Sequence, residues 1–142
     1  MKAIKKQLFF LDIPLYEREI AVVVGMNHKE AVEAAKKQKC KKDFIEDLNC
    51  EENVELCNGV ADKKSQVMGA AARIGTRLFL FVGAYKDHWE YLDCLNHECF
   101  HLVQFMGIQL KMWGDVEPPA YLHSWLFKRL RRTLSGRIKN GA

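Results

Sequence analysis

The spacing of apolar residues changes several times along the chain, and each change marks a predicted element. Residues 7–15 (QLFFLDIPL) and 19–25 (EIAVVVG) are dense in β-branched and aromatic side chains and predict two strands. The short Tyr16-Glu17-Arg18 connection makes them a candidate hairpin. Asn27, with Glu30 three positions later, has capping-box spacing and opens a helix over 28–38 (HKEAVEAAKKQ), a run of strong helix formers. His28 falls in its first turn among Lys and Glu and reads as an exposed surface residue. Phe44, Ile45 and Leu48 follow Asp43 at helical spacing and predict a short second helix. The acid-rich stretch from Glu51 to Glu55, followed by Asn58-Gly59, reads as a surface excursion.

From Val67 the pattern returns to strands. Residues 67–74 (VMGAAARI) and 77–83 (RLFLFVG) bracket Gly75-Thr76 and predict a second hairpin with a tight turn. Leu78 to Val82 is continuous apolar sequence, so this strand should be covered on both faces. The small residues Gly69 and Ala70 to Ala72 let a helix or a ligand backbone come close to its partner. Next, Trp89, Leu92, Leu95, Cys99, Leu102, Val103 and Met106 recur at three- and four-residue steps, the mark of an amphipathic helix. Asp87 is its expected N-cap and Gly107 its expected end. Asp93, His97, Glu98, His101 and Gln104 form another face of the same helix. After a connection over 108–116, Glu117-Pro118-Pro119 opens a last helix with Leu122, Trp125, Leu126 and Leu130 as its apolar stripe. The expected architecture is one α+β domain over residues 1–142. In it a small, mostly antiparallel sheet packs against the helix around His97 and against the C-terminal helix.

Composition narrows the class. A chain of 142 residues, 49% hydrophobic with mean hydropathy −0.22, can bury a core of its own. No run reaches the roughly 18 apolar residues a membrane span needs. Asp12 and Pro14 interrupt the apolar N-terminal stretch and no small-residue cleavage site follows, so a signal peptide is not expected. Five cysteines (Cys40, Cys50, Cys57, Cys94, Cys99), odd in number and without C-x-x-C spacing, point to free thiols in a reducing cytosol. The net charge is +4, and Lys128, Arg129, Arg131, Arg132, Arg137 and Lys139 crowd the C-terminus with no acid among them. Such a run can contact nucleic-acid phosphates. It reads more simply as a solvated helix end whose cations complement the dipole, since no aromatic residues interleave with the charges along the sequence.

The chemistry concentrates at His97-Glu98-Cys99-Phe100-His101, an H-E-x-x-H element. Histidines four apart on a helix lie one turn above each other, so both imidazoles can reach one metal ion. Zinc is the ion these ligands suit best, and Glu98 beside them is placed to act as a base toward water. Shuffling this composition yields such an element in roughly 1 of 100 copies, and here it falls on one face of a periodic helix. A catalytic zinc usually takes three protein ligands. Glu117, 16 residues past His101 on the next helix, gives a His, His, Glu set. Asp115 is close by, although a loop or cap role suits it better. Cys57 would give the His-His-Cys set of peptide deformylases, whose glycine-rich and E-G-C motifs are absent here. His123 would point away from Glu117. The metzincin pattern is excluded, because Gln104 and Gly107 stand at its glycine and third-histidine positions.

His97-Glu98-Cys99-Phe100-His101 followed by Glu117-Pro118-Pro119-Ala120-Tyr121-Leu122 resembles the small gluzincin-like metallopeptidases, or minimal zincins. It is similar in particular to peptidases encoded by bacteriophages and other mobile elements, in which an E-x-x-A-Y/F element follows the H-E-x-x-H helix. The resemblance covers roughly residues 67–134. It implies a small sheet packed on these helices, peptide-bond hydrolysis, and for a phage protein the cytoplasm of a bacterial host.

The expected reaction is zinc-dependent hydrolysis of a protein or peptide substrate. Zinc would be held by His97, His101 and Glu117, with Glu98 as general base. Tyr121, one turn after Glu117, is the candidate oxyanion donor, with a packed core aromatic as its plainer role. Asp93, one turn before His97, either orients an imidazole or faces solvent. Two other readings compete. One is a non-catalytic metal domain that binds nucleic acid through the basic C-terminal helix, as DNA-associated zincins of the SprT-like sort combine such a motif with basic surface. The other is a metal-free interaction protein.

Overall fold

The computed structural model describes residues 5–13, 18–62, 64, 67–83, 88–110 and 117–135, with the side chains at 88–90, 108–110 and 117–119 outside that description. In chain order it forms β1 (Gln7–Ile13), β2 (Arg18–Val24), α1 (His28–Lys37), α2 (Lys42–Leu48), α3 (Glu51–Ala61), β3 (Gly69–Ile74), β4 (Arg77–Val82), α4 (His88–Leu110) and α5 (Glu117–Ser135). Both predicted hairpins form. β1 pairs antiparallel with β2, from Gln7 opposite Val24 to Ile13 opposite Arg18. β3 pairs antiparallel with β4 across a turn in which Gly75 takes φ +62°, a left-handed conformation that glycine adopts without a Cβ clash.

The hairpins join side by side. β2 and β4 run parallel, with Val22 opposite Leu80, so the four-stranded sheet has the order β1-β2-β4-β3 and is mixed. Two of the three pairings are antiparallel, as expected, and the central one is not. A parallel pair needs a long crossover, and here α1, α2 and α3 lie in the chain between the hairpins and cover one face of the sheet. Leu8, Ala21, Val23, Phe79 and Phe81 point into that layer against Ala31, Ala35, Phe44, Leu48 and Cys57. Phe9, Leu11, Ile20, Val22, Leu78, Leu80 and Val82 point to the other face, against Leu95, Leu102 and Met106 of α4 and Leu122, Leu126 and Leu130 of α5. β4 is therefore buried on both sides, which is what its unbroken apolar run requires.

Several expectations are corrected. The stretch predicted as a surface excursion is the helix α3, with Asn53, Cys57 and Val60 buried at i, i+4, i+7 spacing. Its buried stripe was hidden because one member is polar: Asn53 is fully buried and its Nδ2 donates to the Asp47 carbonyl at 2.9 Å. Gly107 does not end α4, which continues to Leu110. A glycine inside a helix costs only about 1 kcal/mol, too little to stop a long packed helix. His28 is half-buried, and its backbone N–H donates to Asn58 Oδ1 of α3 at 2.8 Å. Trp125 is not on the apolar stripe of α5 but 42% exposed, and the stripe runs instead through Leu122, Leu126, Leu130 and Leu134. The predicted N-cap Asp87 lies outside the described residues. Among the described residues no helix is long and apolar enough to cross a membrane.

The capping box at α1 forms in full. Asn27 Oδ1 accepts from the Glu30 N–H at 2.9 Å, and Glu30 Oε1 accepts from the Asn27 N–H at 3.2 Å. That backbone contact and Lys6 Nζ at 3.4 Å hold the Glu30 carboxyl below its ordinary value. Replacing Asn27 by Ala should lower unfolding stability by about 1 kcal/mol in a urea titration, without changing the fold.

Candidate metal centre

Helix α4 carries the H-E-x-x-H residues. It lies against the sheet with Leu95, Cys99, Leu102 and Met106 down into the core, which fixes the rotation of the helix and hence where the neighbouring side chains go. Glu98 is turned toward β3, and His97 and His101 emerge on the far side of it. His97 is exposed and His101 half-buried, so the pair opens to solvent.

The two imidazoles converge. Their Nε2 atoms are 3.0 Å apart, with ring centroids at 4.7 Å and planes at 77°. Two imidazole nitrogens on one tetrahedral zinc, with bonds of about 2.05 Å, lie roughly 3.3 Å apart. Here the contact is an imidazole–imidazole hydrogen bond, and a slight rotation of either ring would open it to the spacing that two ligands of one zinc require. His101 is also oriented from behind. Its Nδ1 is 3.1 Å from Gln104 Oε1. An amide oxygen only accepts, so Nδ1–H donates and the Nε2 lone pair is left directed at the shared centre. Gln104 was legible only as a polar member of the histidine face, three residues beyond His101.

Glu98 is 7% exposed and is the one buried charged side chain among the described residues. Burial pushes its carboxyl above the ordinary value. His101, His97 and a hydrogen bond from the Ala71 backbone N–H oppose that rise. Ala71 lies on β3, the edge strand; the bond from Gly83 N–H to the Met68 carbonyl at 2.9 Å sets the alternation, in which the backbone groups of Met68, Ala70 and Ala72 turn toward β4. The Ala71 amide thus points away from the sheet, to the carboxylate of α4. Closeness here depends on Gly69. A Cβ at that position would stand 2.5 Å from Cys94 Sγ, 3.3 Å from Glu98 Cγ and 3.3 Å from the Phe81 carbonyl oxygen. Cys94 and Cys99 flank Glu98 on the helix, and burial together with Glu98 pushes their thiols up to about 11 and about 12.

The remaining candidates divide as follows. Among the described residues, no group of three or more His, Cys, Asp or Glu side chains is placed to hold a metal. Glu117 is the first residue of α5, but its side chain lies outside the described residues, as does Asp115 entirely. Cys57 is buried beneath the opposite face of the sheet, where its Sγ donates to the Met26 carbonyl at 3.2 Å, and so is removed as a ligand. His123 turns to α4, where its Nε2 donates to the Asn96 carbonyl at 3.3 Å and its ring centroid is 6.4 Å from that of Phe100. This contact fixes the second turn of α5 beside the residue preceding His97, and Glu117 lies six residues earlier, roughly 9 Å along the helix axis. Tyr121 is 72% exposed, which rules out the packed-core role. Asp93 is exposed, and Gln104 rather than Asp93 is the side chain that orients an imidazole. Compared with protein-family models, curated proteins and solved structures, the chain matches none.

Two outcomes are expected. Gly69→Ala should cost about 1–3 kcal/mol through overpacking against Cys94, and the double change Gly69→Ala, Cys94→Ala should recover part of it in a double-mutant cycle. In chelator-treated protein, Glu98→Gln should stabilise the fold at neutral pH. The sign follows from the raised carboxyl: stability present below the unfolded-state value is lost as pH rises through the folded-state value. The gap between variant and wild type in thermal melts should therefore widen from pH 4 upward and then level off.

Proposed function

We propose that the chain is a zinc-dependent metallopeptidase of the gluzincin-like kind, with His97, His101 and Glu117 holding the ion and Glu98 as general base. The observation that carries this reading is the convergence of two imidazole nitrogens at 3.0 Å beside a buried carboxylate. The two rings hydrogen-bond to each other here, so the reading rests on their convergence taken together with the burial of an acid beside them.

When bound, zinc supplies Lewis acidity toward a carbonyl and lowers the pKa of water. The residues do the rest. Glu98 takes a proton from the attacking water and returns it to the leaving amine, and burial, by raising its carboxyl, makes it a stronger base than a solvated glutamate. The Ala71 N–H holds that carboxylate on the sheet side of the histidine pair. Gln104 keeps the His101 ring in one tautomer. β3, the sheet edge beside α4, offers the outward backbone groups of Gly69 and Arg73 to an extended peptide. Tyr121 stands exposed on the helix that begins with Glu117 and serves as the oxyanion donor.

Elemental analysis of purified wild type, His97→Ala, Glu117→Ala and Glu98→Gln tests the centre. Wild type and Glu98→Gln should each carry about one zinc per chain, and the two ligand variants should lose it. Cleavage of a mixed peptide library, followed by mass spectrometry, should fall by about 100-fold or more in Glu98→Gln. Wild type that stays empty after growth with added zinc ends the metal reading. Undiminished cleavage by Glu98→Gln ends the assignment of the base.

A further inference from the structure

Winding the last helix changes what its charges mean. Along the sequence the basic run follows the aromatics and does not mix with them. On α5 the positions Tyr121, Trp125, Lys128, Arg129 and Arg132 fall at i, i+4, i+7, i+8 and i+11, a single stripe about 16 Å long. All five are exposed. Tyr121 at 72% and Trp125 at 42% are two of the few large exposed hydrophobic side chains among the described residues. The apolar side of the helix is already consumed by Leu122, Leu126, Leu130 and Leu134 in the core, so the stripe is a second, separate face.

We propose that this face binds single-stranded nucleic acid, with Trp125 and Tyr121 stacking on bases while Lys128, Arg129 and Arg132 contact phosphates. Charge is the first argument. No acidic partner among the described residues neutralises these cations, whereas Arg77 elsewhere on the surface sits 2.9 Å from Asp47, and Lys6 is 3.4 Å from Glu30. Neighbouring Arg131 lies 5.9 Å from the Phe127 ring and adds a fourth exposed cation beside the stripe. A polyanion is therefore the complementary partner. The rings are the second argument. Two flat aromatic groups one turn apart, roughly 6 Å along the axis, present platforms that a duplex with its bases paired and stacked inside cannot use. An anionic membrane fits less well. Interfacial helices insert an aliphatic and aromatic face, and the leucines of α5 face inward. This inference shares Tyr121 with the metal reading but needs neither zinc nor Glu98, and its test rests on Trp125 and the cations, which that reading does not use.

The test is fluorescence anisotropy of the full chain with a labelled 20-nucleotide oligodeoxythymidylate, a duplex of equal length, and vesicles of phosphatidylcholine with phosphatidylglycerol. Binding of the single strand should exceed that of the duplex and should weaken about 20-fold between 50 and 200 mM salt, as three neutralised phosphates predict. Trp125→Ala should weaken it about tenfold, Trp125→Phe should restore most of the loss, and the pair Lys128→Glu, Arg132→Glu should abolish it. All these positions are exposed, and a thermal melt confirms that each variant is folded. Single-strand affinity unchanged in Trp125→Ala overturns the proposal, as does equal binding of duplex and single strand. So does binding to the vesicles with none to the oligonucleotide.

Discussion

The seat of α4 on the sheet depends on one side chain that is missing. At Gly69 the edge strand presents bare backbone to α4, and the helix settles close enough for its carboxylate to meet the Ala71 amide and for Cys94 to fill the space a Cβ would take. Everything on the outer side of the helix inherits its position from that contact. The core residues Leu95, Leu102 and Met106 set the rotation of α4, and Gly69 sets its distance from the sheet edge. Rotation and distance together leave His97 and His101 projecting past β3 into solvent.

This arrangement sets two opposed electrostatic demands against each other. Glu98 is removed from water, which disfavours its charge, and is then offered one amide donor and two imidazoles, which favour it. Desolvation wins, so the carboxyl holds a proton more firmly than a solvated one would, and that makes it both a cost to the fold and a stronger base. Gln104 holds Nδ1 of His101, which leaves Nε2 to face His97.

Where periodicity was strong, the fold was legible in the sequence. The two hairpins, the capping box at Asn27 and the long amphipathic helix of the H-E-x-x-H element all follow from local pattern. What local pattern does not carry is how pieces meet. Nothing in residues 19–25 or 77–83 says that these strands run parallel and adjacent, because that choice is made by three intervening helices covering the opposite face. α3 escaped because its buried stripe contains Asn53, whose burial is made tolerable by a partner on another element, the Asp47 carbonyl. Trp125 was misassigned for a different reason: at the edge of an apolar stripe a large ring satisfies either face, and only the packing of Leu134 and its fellows shows which was chosen. At the candidate site the histidine pair was readable from spacing alone. The Ala71 amide and the Gln104 oxygen were not, since backbone donors and neutral amides leave no distinctive mark in a sequence.

The parallel seam between β2 and β4 has a consequence for how the chain assembles. The strands at the middle of the sheet come from opposite halves of the sequence, joined only through residues more than fifty positions apart. The first hairpin keeps α1 to α3 on one face only and the second keeps α4 and α5 on the other face only, so each half leaves a strand edge and a sheet face uncovered. Cutting the backbone between α3 and β3 would yield two fragments that must find each other to acquire order, which makes this junction the natural place to split the molecule for reconstitution in trans.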